Sequence, residues 1–282
     1  MRNLEDITVA FQGEHGAYSE LAVYSFFGAV AQPKPCKDFS DVFKKVDEEE
    51  TKYGVVPIEN SIEGSINQVY DLFLQYDLKV CGEMALKIVH CLIANPETQL
   101  NSVKVIYSHP QALAQCRNFL EGLGCELIST YDTAGSVKMI KERMMIEAAA
   151  IAGERAAEIY RMKILMRDIA DNPNNYTRFF VLSKTEPPPS GNDKTSIIFS
   201  TKHIPGALHK VLGDFAVRGI NLTKIESRPT KQTPWEYNFY LDFEGHRNEK
   251  KCAEALEGLR TKSVFVKILG SYPKAPEISN PL

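Results

Sequence analysis

The sequence predicts an α/β protein in two parts, a larger unit built on mainly parallel sheet and a smaller ferredoxin-like βαββαβ unit after it. Over the first 190 residues, short runs rich in β-branched residues alternate with stretches of helical length, the rhythm of successive βα units. From Lys194 the spacing tightens to strand, helix, two strands, helix and strand. Between them KTEPPPSGNDK (Lys184–Lys194) stacks three prolines on a Ser-Gly-Asn cluster and reads as a linker. The expected boundaries are 1–186, a linker at 187–193, the second unit at 194–274 and a tail at 275–282.

Taken in order, ITVAFQG is a strand before a helix at Tyr18–Phe27, and YGVVPI a strand before a helix at Ile62–Leu74. VKVIYS leads to a helix at Pro110–Leu120, with proline suited to its first turn. ELIST precedes a helix at Ala134–Arg143, and AAAIA one at Glu154–Arg161. In the second unit KTSIIFSTK is a strand. The next helix opens at Pro205, turns Leu208, Val211, Leu212 and Phe215 to one side, and stops at Gly219. INLTKIESRP and WEYNFYLDFEG are strands, EKKCAEALEGLR a helix and VFVKILGSY the last strand.

Composition narrows the function. The 282 residues are 44% apolar and 24% charged, which excludes a disordered, collagen-like or coiled-coil chain. Acidic Glu5 and Asp6 stand where a leader would need its apolar stretch, and no uncharged apolar run approaches about 18 residues, so a cytoplasmic protein without a membrane partner is expected. The six cysteines are scattered without a CxxC pair and read as reduced thiols, with no metal site. Net charge is −7 up to Ser190 and +4 beyond it, with no basic stripe in either part, so nucleic acid is not an expected partner. Gly13 and Gly16 lack the third glycine and the acidic residue of a dinucleotide loop.

Hydroxyl or amide side chains stand at several expected helix starts: Ser19, Asn60, Ser61, Ser108 and Thr133. Each suits N-capping. If the strand ends converge, these helix starts also present unpaired N–H groups to a common crevice, where the expected ligand is a small anion such as a carboxylate.

GVVPIENSIEGSINQVYDLF (Gly54–Phe73), SHPQALAQC (Ser108–Cys116) and IADNPNNYTRFFVL (Ile169–Leu182) resemble, in this order, segments of the prephenate dehydratase family. The last carries I-x-D-x-x-x-N-x-T-R-F on Asp171, Asn175, Thr177, Arg178 and Phe179. PGALHKVL and Glu226-Ser227-Arg228-Pro229 are similar to the GALV and ESRP regions of the ACT domain that often follows. Two places depart from the family pattern: Glu14 and Ala17, where many members show Pro and Thr, and His209 in the valine place of GALV.

The resemblance implies a two-lobed catalytic region of the periplasmic-binding-protein kind, with an active site in the cleft and the Thr177 strand near a chain crossover. It implies decarboxylating dehydration of prephenate to phenylpyruvate, with arogenate dehydration and a non-catalytic amino-acid-binding regulator as alternatives. Thr177 is then the donor to the departing hydroxyl, Arg178 a planar fork for a carboxylate and Phe179 a shield from water. Ser19, Asn60, Ser61, Gln111, Thr133 and Asn175 are substrate-binding candidates. Glu59 reads either as a helix-start carboxylate or as an orienting residue, and His109 either as a cap or as a pocket residue. No cofactor is called for. L-phenylalanine is the expected effector, held at a seam between paired ACT units of a homodimer or homotetramer by Gly206, Ala207, Leu208, Asn221, Leu222, Glu226, Ser227, Arg228 and Pro229.

Overall fold

A computed structural model describes residues 7–230 and 235–276. By compactness the chain divides into residues up to Gln75 with Met84–Phe179, and Tyr76–Glu83 with Phe180 onward. The Pro187-Pro188-Pro189 segment thus falls inside the second compact unit, which also takes in a stretch from far upstream.

The first lobe alternates β1 (Ile7–Gln12), α1 (Tyr18–Phe27), β2 (Ala31–Cys36), α2 (Phe39–Asp47), β3 (Tyr53–Asn60), the two-residue β4 (Gly64–Ser65), α3 (Asn67–Gln75) and β5 (Lys79–Lys87). The chain then crosses to β6 (Cys91–Ala94), β7 (Val105–Ser108), α4 (Pro110–Gln115), α5 (Arg117–Glu121), β8 (Glu126–Ser129), α6 (Thr133–Glu142), β9 (Ala148–Ala152), α7 (Glu154–Tyr160) and β10 (Lys163–Met166). It returns in β11 (Tyr176–Ser183), which enters the first sheet between β3 and β5 in the order β2-β1-β3-β11-β5. Thr177 therefore sits on the first strand after the return crossing, as the resemblance implies.

The second sheet runs β10-β6-β9-β7-β8. It is mixed rather than mainly parallel. β7 pairs in parallel with β8 and β9, while β6 is antiparallel to both β9 and β10. The two antiparallel pairs involve the strand that enters from the other lobe, so its direction is set by the crossing and not by a βα unit.

Apolar faces build each lobe. Phe43 of α2 meets Phe73 of α3 edge-on at 5.1 Å beneath the buried Val9, Phe11 and Ile58. In the second lobe Leu92, Ile106, Leu113, Cys116, Leu120 and Ile151 form one buried cluster, so Cys116 is core, as its helical position suggests.

Two helix expectations change. Ile62–Leu74 is not one helix, because Glu59 and Asn60 pair with Ser65 and Gly64 in a small hairpin, and α3 starts only at Asn67. Pro110–Leu120 breaks at Cys116 into α4 and α5.

The C-terminal part is β12 (Asp193–Thr201), α8 (Ala207–Ala216), β13 (Leu222–Pro229), β14 (Tyr237–Glu244), α9 (Lys250–Lys262) and β15 (Ser263–Pro273). Its antiparallel sheet has the order β13-β14-β12-β15, the ferredoxin-like arrangement. Ile197, Phe199, Leu241 and Phe243 turn toward Val211 and Phe215 of α8 and Ala255 and Leu256 of α9. The opposite face is covered within the same unit. Phe180 meets Tyr272 edge-on at 5.6 Å, and Lys194 pairs with the buried Glu83 at 3.0 Å. Residues 76–83 come so close that a Cβ on Gly270 would collide with the carbonyl oxygen of Val80.

That approach gives a direct test of the packing. Gly270→Ala is expected to destabilise by about 1–3 kcal/mol, the usual range for overpacking, read as a lower midpoint in urea unfolding. An unchanged midpoint would mean that residues 76–83 do not rest on β15.

Candidate active site

The site is built from the carboxyl ends of strands and the starts of the helices that follow. A cavity of about 440 Å³ lies between the two lobes. Ser19, Asn60, His109, Gln111, Thr133, Thr177 and Phe179 line it, so residues separated by up to 160 positions in sequence meet there. The volume is within the usual range for a small-molecule pocket.

Strand alternation sorts the T-R-F run. Thr177 and Phe179 point into the cavity, whereas Arg178 is not among the lining residues. It lies instead against Glu59, with Nη1 and Oε2 3.9 Å apart. Asn60 and Thr177 share one side of neighbouring strands β3 and β11, and Glu59 and Arg178 pair with each other. Ser61 is exposed and stitches the returning chain in place, donating to the Asn174 carbonyl at 3.0 Å and accepting from Tyr176 N–H at 2.9 Å. Asn175, fully buried, stands behind the cavity wall.

The strongest local constraint is on Asn60. Its Oδ1 accepts from the backbone N–H groups of Ile62 and Glu63, both at 3.0 Å. Its Nδ2 is thereby turned toward Asn175 Oδ1 at 2.8 Å and Thr177 Oγ1 at 3.0 Å. An amide nitrogen only donates, so Thr177 accepts here and keeps its own hydroxyl proton for another partner. Asn60 is a turn-forming residue at the tip of a hairpin rather than a helix cap.

The remaining capping expectations also change. Ser19 and Thr133 lie inside the first turns of α1 and α6, and Ser108 donates to the Ile151 carbonyl at 2.7 Å. His109 is a cap, one of the two roles expected of it, and the other caps are neighbouring residues. His109 accepts from Gln111 N–H at 3.2 Å, Asp132 from Gly135 N–H, and Asp38 from Asp41 N–H at 3.0 Å. α1 differs, because Ala17 offers no side-chain oxygen. Ala17, Tyr18 and Ser19 at the start of α1 line the cavity, and Glu20 of the same first turn accepts from Gly16 N–H at 2.7 Å.

Several cavity residues were not singled out in sequence: Tyr18, Lys37, His90, Gln115 and Asp132. Tyr18 and Gln115 lie within the segments FQGEHGAYSELA and SHPQALAQC, but nothing local marks them off from helix-face residues. Lys37, exposed at the rim, supplies an ammonium. Glu14, standing where the family pattern has proline, reaches across the cleft to Lys138 Nζ at 3.0 Å and the Tyr131 hydroxyl at 3.1 Å. Among the described residues no group of three or more His, Cys, Asp or Glu side chains is placed to hold a metal ion, and no helix is long and apolar enough to cross a membrane.

Burial shapes the titration of the site. It lowers the pKa of His90 and His109, favouring neutral imidazoles, and raises that of Asp132. Asp132 is 7% exposed, and its Oδ2 is buried without a hydrogen-bond partner.

These features define a two-lobed α/β unit with a polar cleft, followed by a ferredoxin-like unit. The chain belongs to the prephenate dehydratase family: residues 9–187 match Prephenate dehydratase and residues 195–261 match the ACT domain. It is 44% identical to the bifunctional chorismate mutase/prephenate dehydratase of Aquifex aeolicus, over 95% of this chain and 74% of that protein. It is 42% identical to arogenate dehydratase/prephenate dehydratase 2 of Arabidopsis thaliana, over 95% of this chain and 73% of the relative. Among solved structures, prephenate dehydratase from Arthrobacter aurescens in complex with L-Phe superposes with a TM-score of 0.88 at 33% identity, covering 98% of this chain and 93% of that one. A protein described as a novel type of quorum quenching acylase superposes with a TM-score of 0.87 at 34% identity, covering 95% and 98%.

Asp132 gives a pH test. A carboxyl whose pKa is raised in the fold binds its proton more tightly folded than unfolded. Its stabilising contribution is therefore full below the unfolded value near 3.9, and is lost as pH rises through the higher folded value. Asp132→Asn keeps the capping oxygen and removes the titration. The variant's melting temperature relative to the unsubstituted protein should thus climb from pH 4 to pH 8. A flat difference would show that Asp132 titrates as an ordinary carboxyl.

Proposed function

We propose that the chain is a prephenate dehydratase, converting prephenate to phenylpyruvate with release of CO₂ and water. The observation that supports this most directly is the Thr177 hydroxyl, held in the cavity wall by Asn60 with its proton uncommitted. As the ring carboxylate leaves as CO₂, the electron pair of the broken C–C bond moves into the ring and the C–O bond to the ring hydroxyl breaks. The Thr177 O–H shares its proton with the departing oxygen, a hydrogen bond that strengthens as charge develops there, and solvent completes the water. Aromatisation supplies much of the driving force. Phe179, 1% exposed, excludes water beside the reacting ring.

The substrate's two carboxylates need positive partners in a chain that is acidic overall. Lys37 and the side-chain-uncapped start of α1 serve that role in this reading. Arg178, facing Glu59 on the other side of β11, holds the two strands in register behind the site. Thr177→Val should lower kcat by about a hundredfold, the effect of removing one positioned donor, with a smaller change in KM. Turnover near that of the unsubstituted enzyme would remove Thr177 from the chemistry.

Arogenate is the second reading, favoured by relatives that carry that name. Supplying each substrate separately and following phenylpyruvate and phenylalanine decides between them.

The C-terminal unit is proposed to bind L-phenylalanine. Gly206 adopts φ 77°, in the left-handed region, immediately before α8. Ala207 and Leu208 begin that helix, and Asn221 immediately precedes β13, which opens at Leu222 and ends in Glu226, Ser227, Arg228 and Pro229. β13 is an edge strand with Ile225 45% exposed, which favours pairing with a second copy in a homo-oligomer. His209 is exposed on α8. Gly206→Val forces a β-branched residue into a left-handed conformation, so calorimetry should find phenylalanine binding weakened at least about tenfold. Equal affinity in variant and parent would place the effector elsewhere.

A further inference from the structure

We propose that His90 is a positioning residue for this reaction: as the Nε2–H tautomer it fixes the direction of a buried hydrogen-bond chain that ends at Thr177. The proposal rests on the dehydratase reading of Thr177 above.

The chain can be followed from one fixed end. The backbone N–H groups of Ile62 and Glu63 can only donate, so the atom of Asn60 that meets them is its oxygen. The nitrogen of Asn60 then faces Asn175, whose near atom must be an oxygen, at 2.8 Å. Asn175 in turn directs its nitrogen to Gln115, whose near atom must also be an oxygen, again at 2.8 Å. His90 Nε2 lies 2.9 Å from that same Gln115 oxygen and therefore carries a hydrogen. Three amide orientations and one imidazole tautomer follow from two backbone amides.

The opposite tautomer would disrupt the whole set. A bare Nε2 on His90 would favour turning the Gln115 amide, which would put its NH₂ against the NH₂ of Asn175. Turning Asn175 would then set two NH₂ groups against each other at Asn60, which the backbone prevents from turning. All four residues are buried, with exposures of 3% for His90, 9% for Gln115, 0% for Asn175 and 4% for Asn60, so water does not relieve such a clash. Beyond His90 the chain closes on Tyr18. Its hydroxyl lies 2.9 Å from His90 Nδ1 and 2.8 Å from the Val89 carbonyl oxygen. In a neutral imidazole with hydrogen on Nε2, Nδ1 and the Val89 carbonyl oxygen are both acceptors and share the single Tyr18 proton, and burial favours that neutral form.

The side chains of Tyr18 and Thr177, both at the cavity, are thus joined through the wall behind it by one directed set of bonds. His90 contributes a donor that could be lost without changing the fold. Its removal leaves one Gln115 lone pair without a partner and the Gln115 amide free to turn.

The test uses the full chain and two substitutions. His90→Leu removes the donor, and His90→Gln supplies an N–H from its terminal amide. Expected for His90→Leu is a fall in kcat of about tenfold, the kinetic equivalent of about one hydrogen bond, with KM within about threefold. His90→Gln should recover most of that loss. In ¹⁵N NMR of histidine-labelled enzyme, the resonance pair lost in His90→Gln should show a protonated Nε2 and a bare Nδ1. An Nδ1–H tautomer, full turnover in His90→Leu, or equal losses in both variants would overturn the proposal. If the unsubstituted protein turned over neither prephenate nor arogenate, the dehydratase reading would fall, whereas the tautomer measurement would still decide the direction of the chain.

Discussion

The site depends on the two hydrogen bonds that Ile62 and Glu63 N–H donate to the Asn60 side chain. They cost the helix expected at Ile62, which gives way to a hairpin and a later start at Asn67. In return, a side-chain amide that could face either way is held in one orientation. Every polar contact from Asn60 to Thr177 in one direction and to Gln115 in the other takes its sign from that constraint. Buried amides cannot borrow water to correct a mismatch, so a single fixed member orders the rest.

A second constraint is the pleat of β11. Because successive side chains alternate, the adjacent residues Thr177 and Arg178 cannot both enter the cavity. The hydroxyl and the aromatic ring of Phe179 go one way, while the guanidinium goes the other to Glu59. In the proposed reading, positive character at the cavity comes from Lys37 and from the start of α1, where Ala17 provides no side-chain cap. The other nearby helices use His109, Asp132 and Asp38 to cap themselves.

In the C-terminal unit the sheet is covered on both faces within one compact body. Helices α8 and α9 take one side, and residues 76–83 with Phe180 and its neighbours take the other. Gly270 is the point of closest approach, and the Lys194–Glu83 pair supplies the charge match beside it. The sheet's two edges are β13, which carries Glu226 to Pro229, and β15.

Much of this was legible in residue order, and the reason is locality. Alternating apolar runs, the triple proline and the β-α-β-β-α-β spacing are set by interactions a few residues long. They gave the correct class of both units and nearly every strand of the C-terminal one, and the T-R-F run singled out by the family resemblance lies on β11. The cap of α6 was misplaced by one residue, Asp132 rather than Thr133, because a cap depends on which backbone amide a side chain actually reaches. The side to which Arg178 turns and the direction of the Asn60–Asn175–Gln115–His90 chain could not be read at all. These follow from the return of β11 between β3 and β5, which brings residue 175 beside residue 60, and from the packing of α4 behind them. The sequence by itself determined which chemical groups this protein owns and which short elements carry them. Only the tertiary structure decided which groups share a cavity and which way their protons point, because both depend on contacts between residues 25 to 117 positions apart.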